Sequence, residues 1–75
     1  MRLQIRPSGF YLVWDGKEMS ITYKEALMIA DRYASAPEEL DATAEEGARL
    51  AKAIREGAAS WLRLKLGSQS AGGDN

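Results

Sequence analysis

The 75-residue chain contains no cysteine and no histidine. Without cysteine there are no disulfide staples and no thiolate metal sites, so stability has to come from packing. Without histidine, Ser-His-acid and Cys-His triads are impossible and the common zinc sites are closed. Catalysis near neutral pH would then rest on a carboxylate or lysine with a shifted pKa, and no pattern in the sequence points to a buried one. The acids of "PEELDATAEEG" do not follow the ligand spacing of a calcium loop. Gly47 and Gly57, ten residues apart, match no phosphate-binding loop. The expectation is a protein that is not an enzyme and holds no cofactor or metal.

Long apolar runs are also missing. No stretch approaches the roughly 20 apolar residues of a membrane span, and "MRLQIRPSG" lacks the apolar core of a signal peptide. A soluble, cytoplasmic protein with no membrane association is expected. Neither sign of charge is in excess, with ten basic and eleven acidic residues and a net charge of −1. A general nucleic-acid binder usually carries a basic surplus, because affinity comes largely from phosphate neutralisation. The charge is segregated, however. Glu38, Glu39, Asp41, Glu45 and Glu46 come first, and Arg49, Lys52, Arg55, Arg63 and Lys65 follow. On a helix, acids early and bases late suit the macrodipole, which explains much of this segregation without a partner.

The length allows one domain. A chain of this size buries about 60% of its unfolded surface, enough for one thin core. The fold class expected is α+β, a sheet with helices on one face. Residues 1–66 form the domain, and the small, polar, Gly-rich "GSQSAGGDN", residues 67–75, reads as a disordered tail.

"RLQIR" alternates with strand period, with Leu3 and Ile5 on one face and Arg2, Gln4 and Arg6 on the other. Asp15-Gly16 is a strong two-residue hairpin signal, pairing Trp14 with Lys17. Ser8-Gly9 as a second two-residue loop pairs Pro7 with Phe10, and so Ile5 with Leu12 and Arg6 with Tyr11. Both registers put Leu3, Ile5, Phe10, Leu12, Trp14, Met19 and Ile21 on one face, which predicts a three-stranded antiparallel meander.

Thr22 and Glu25 have capping-box spacing, so a helix is expected to about Ser35, with Tyr23, Ala26, Leu27, Ala30, Tyr33 and Ala34 on its core stripe. Thr43 and Glu46 mark a second helix, which Pro37 could also begin. Leu40, Ala44, Gly47, Leu50, Ala51 and Ile54 are its core positions. "REG" at 55–57 then resembles a helix stop with glycine just past the end. "SWLRLKL" alternates strictly, which reads as a fourth strand, although it has the composition of a helix and no β-branched residue. The two readings stand side by side, the strand slightly ahead.

The order of elements in "GFYLVWDGKEMSITYKEAL" is similar to that of small three-stranded DNA-contacting modules of recombinases, in which a sheet face enters the major groove. The similarity spans about residues 2 to 35, and no base-reading residue carries across. The residues themselves nominate the outer sheet face as the functional surface. Arg2, Gln4, Arg6, Tyr11 and Val13 lie there, joined by Trp61, Arg63 and Lys65 if the last segment is a strand. An arginine beside a tyrosine can form a cation–π pair, and these residue types anchor many interfaces. Such a face can equally be a solvated surface of good β-formers. The expected function is a small non-catalytic protein-binding module. Its size suits an accessory or inhibitor protein of phages or mobile elements acting on a larger host complex, and a homodimer is also open. The alternative is a nucleic-acid-binding module using the basic, aromatic face.

Overall fold

The computed structural model describes residues 2–73, with side chains through residue 67. Three strands, β1 (Arg2–Arg6), β2 (Gly9–Trp14) and β3 (Lys17–Ile21), are followed by α1 (Tyr23–Ser35), a 3-10 turn (Pro37–Leu40) and α2 (Ala44–Gly73). The sheet is an antiparallel meander in the order β1-β2-β3. With both helices against one face, the fold is the α+β arrangement expected.

The β2–β3 register is the one the sequence dictates, with Phe10 opposite Ile21, Leu12 opposite Met19 and Trp14 opposite Lys17. Asp15 and Gly16 both take positive φ, 45° and 73°, as a type I′ turn requires. The β1–β2 register differs by two residues. Arg6 pairs with Gly9, Ile5 with Phe10 and Leu3 with Leu12, so the loop is Pro7-Ser8 rather than Ser8-Gly9. Pro7 has no N–H to give to a ladder and its fixed φ suits a turn. Gly9 takes the φ of +150° that other residues avoid. Because the slip is even, every side chain keeps its face.

Both capping boxes form. Thr22 Oγ1 accepts from the Glu25 N–H at 3.1 Å while Glu25 Oε1 accepts from the Thr22 N–H at 2.8 Å. Thr43 and Glu46 repeat the exchange at 3.1 and 3.0 Å. Hence α2 starts after Thr43, and Pro37 opens the separate 3-10 turn. Glu46 is held below the usual carboxylate range chiefly by its hydrogen bonds to Thr43.

The fourth strand is not formed: residues 60–66 continue α2. Gly57 is not a stop. A Cβ there would lie 2.6 Å from Ile5 Cδ1, so the glycine lets the helix lie against β1. With Ala58 and Ala59 beside it and no β-branched residue from there to Leu66, the helix runs through. Of the expected tail, the backbone is helical to Gly73, while residues 74 and 75 lie outside the described residues.

The core is centred on Phe10, which is 1% exposed, with Ile21, Ala26 and Ala58 around it and Leu3, Ile5, Leu12, Leu27 and Trp61 packed against them. Ala30, Tyr33, Ala51 and Ile54 form a second cluster between the helices. Small alanines at the crossing let α1 and α2 approach closely. Several expected core positions are not core. Met19 is 49% and Leu50 41% exposed, and Ala34 and Ala44 are exposed. Met19 lies on the right face of an outer strand that no helix covers, and Leu50 falls to the side of the buried line Gly47–Ala51–Ile54–Ala58. Among the described residues, no helix is long and apolar enough to cross a membrane.

Candidate interaction surface

The helices leave the other face of the sheet uncovered, and strand alternation places Arg2, Gln4, Arg6, Tyr11, Val13, Glu18 and Ser20 on it. Arg6 organises this face. Its guanidinium lies 4.3 Å from the centroid of the Tyr11 ring. Its nitrogens donate to both oxygens of Glu18, at 2.8 and 3.1 Å, and twice to Gln4 Oε1, at 2.6 and 3.2 Å. One side chain from β1 thus crosses Tyr11 on β2 to reach Glu18 on β3. The strand partner of Tyr11 is Gln4, not Arg6, so the Arg6–Tyr11 pair is diagonal, a separation that a long side chain can bridge. Tyr11 Oη and Ser8 Oγ are hydrogen-bonded at 2.8 Å.

The ion pair shifts both partners. The hydrogen bond to Glu18 raises Arg6 further above its already high value, and the same bond lowers Glu18. A lowered carboxylate favours the folded state above the ordinary carboxylate range and loses that contribution as pH falls through its lowered value. Both side chains are well exposed, 38% and 50%, so the pair orders the surface more than it stabilises the fold.

Trp61, Arg63 and Lys65 do not join this face, because they are carried on α2. Trp61 turns inward, its ring centroid 4.9 Å from Phe10 and 6.2 Å from Tyr23, and its Nε1 donates to the Pro7 carbonyl at 3.2 Å. Lys65 Nζ stands 5.5 Å over the Trp61 ring, and Arg63 is exposed. The outer sheet face therefore carries Arg2 and Arg6 as cations, with Arg6 already paired, and is not the basic surface the sequence suggested. The two groups of candidate residues meet at one place, a hollow of about 210 Å³ beside Pro7 lined by Arg6 and Trp61 among others.

A second surface escaped the sequence reading. Between β3 and α1 runs a shallow apolar groove of about 250 Å³, lined by Leu12, Met19, Ile21, Met28 and Ile29. Its signal was present: Met28, now 61% exposed, lies outside the core stripe of α1, and Met19 belongs to an outer strand. Among the described residues, no group of three or more acidic side chains is placed to hold a metal ion. No protein-family model matches the chain, and no curated protein or solved structure matches it.

Proposed function

We propose that the chain is a small non-catalytic protein-binding module whose contact surface is the uncovered sheet face. The observation that carries this reading is Arg6, held over the Tyr11 ring by Glu18 and Gln4. Arginine and tyrosine are common energetic anchors of interfaces. A guanidinium already fixed in place loses little side-chain freedom on binding. Val13 adds apolar contact beside them, and Arg2 sits at the rim. The finer form of the proposal is an accessory or inhibitor protein, of the kind phages and mobile elements encode, acting in the cytoplasm on a larger host complex. The nucleic-acid reading is weaker on this face, since Arg63 and Lys65 lie elsewhere and Glu18 neutralises Arg6.

The test is affinity capture from a cell lysate with and without nuclease, using three proteins: wild type, the double variant Arg6→Ala with Tyr11→Ala, and the control Arg49→Ala with Lys52→Ala on the exposed side of α2. All three should give the same circular dichroism spectrum. Wild type and control should capture the same protein, nuclease should not matter, and the sheet variant should lose it. Loss in the helix control but not the sheet variant would move the surface to α2. Loss on nuclease treatment, with affinity falling steeply as salt rises, would replace the protein partner by a nucleic acid.

A further inference from the structure

The groove between β3 and α1 has a property that an ordinary solvated surface does not. On α1 the residues facing it are Glu25, Met28, Ile29 and Arg32, spaced i, i+3, i+4 and i+7 along one stripe. The apolar pair is bracketed by an acid on one side and a base on the other. When two copies of this stripe run antiparallel, Glu25 of each meets Arg32 of the other, and Met28 meets Ile29 twice. The stripe is its own complement under two-fold symmetry, the condition for an isologous contact.

The neighbouring strand fits the same operation. β3 is an outer strand with β2 on one side only, so one row of its backbone donors and acceptors has no ladder partner. A two-fold axis normal to the sheet sets β3 antiparallel to its copy while it sets α1 antiparallel to its copy. The half-exposed Met19 and the exposed Met28 then close on the apolar groove of the other protomer, and methionine fills such irregular gaps well. The charged groups have capacity to spare. Glu25 gives one oxygen to Thr22, leaving Oε2, and Arg32 gives Nη1 to Glu39, leaving Nη2 and Nε.

We infer that the β3–α1 groove is the interface of a homodimer, with a second copy of this chain as its occupant and Glu25–Arg32 pairs at both ends of an α1–α1 contact. The surface is distinct from the sheet face proposed to bind a partner, so either proposal can fail without the other.

Sedimentation equilibrium over a wide concentration series tests it. Wild type should approach twice the monomer mass of 8.2 kDa as concentration rises. Met28→Lys should remain monomeric with an unchanged circular dichroism spectrum, since the side chain is exposed. Glu25→Arg and Arg32→Glu should each weaken dimerisation by about tenfold or more, through like-charge contacts at both ends. Mixed in equal amounts, those two variants should form a heterodimer of near wild-type affinity. Glu25→Arg also loses its capping bond to Thr22, and the mixture still contains that loss, so recovery in the mixture reports the intermolecular pair. A wild type that stays monomeric throughout, a dimer indifferent to Met28→Lys, or a mixture no tighter than its components would each overturn the proposal.

Discussion

β1 and β3 are both outer strands of five residues, and they are treated differently. Most of β1 is half-buried, whereas β3 is exposed except for Ile21. The reason lies in what passes over them. The 30-residue α2 runs past β1, brought close by Gly57 against Ile5 and fixed where Trp61 meets Pro7. α1 packs mainly on α2 and leaves a gap above β3. One long helix closes one side of the sheet, and there is no second long helix among the described residues to close the other. The apolar residues of β3, chosen by alternation for a core, line an open groove instead.

The largest effect should come at the residue both sides share. Phe10→Ala removes the centre of the core, and the usual cost is about 3–5 kcal/mol. In a domain this small that should leave most molecules unfolded in a thermal melt. A variant melting like wild type would show that the packed face is wrongly assigned.

The two outer strands then separate. Ile5→Ala should cost about 2 kcal/mol, because Ile5 packs between Gly57 and the core. Met19→Ala should cost less than about 1 kcal/mol, because half of its surface is already in water. Urea midpoints measured on dilute protein, where any dimer has dissociated, make this comparison directly. Equal costs would mean that β3 is covered after all.

The smallest effect tests the contact that closes the β1 side. Gly57→Ala adds a methyl against Ile5 Cδ1, at a cost of about 1 kcal/mol after the gain in helix propensity is counted. Ile5→Val removes the obstructing atom at its own cost of about 0.5–1.5 kcal/mol, so Ile5→Val with Gly57→Ala should cost less than the sum of the two single changes. If the two costs simply add, α2 does not rest on β1 at this point.

These residues also show where sequence was enough. Asp15-Gly16 decided the β2–β3 register, since a two-residue turn there fixes Trp14 opposite Lys17, and the alternation around it agrees by placing Phe10, Leu12, Met19 and Ile21 on one side. The capping box at Thr22 decided the start of α1, because it is completed within four residues, while the second box left Pro37 open as an earlier start until the structure placed Pro37 in a separate 3-10 turn. Residues 60–66 were ambiguous for a physical reason. Their alternation obeys a two-residue period while their composition favours a helix, and the contacts that hold the segment, from Trp61 to Pro7 and Phe10, lie some fifty residues earlier. The exposure of Met19 was hidden in the same way, since it depends on which helix covers which strand. At the candidate surface, alternation identified Arg2, Gln4, Arg6, Tyr11 and Val13, while Trp61, Arg63 and Lys65 were misplaced together with the strand that was to carry them.

The bond from Trp61 to Pro7 spans 54 positions, and it bears on the order of folding. Each hairpin strand meets its predecessor after a two-residue turn, and α1 meets α2 across a short connection, so these contacts close small loops at little entropic cost. Joining the middle of α2 to the β1–β2 turn closes a loop of more than fifty residues, and contacts of high sequence separation are the slow ones. The aromatic group of Phe10, Tyr23 and Trp61 is therefore expected to assemble late. Trp14 sits in the early hairpin and Trp61 in the late seam. A Trp14→Phe protein would leave a single indole whose fluorescence reports the final closure of the fold.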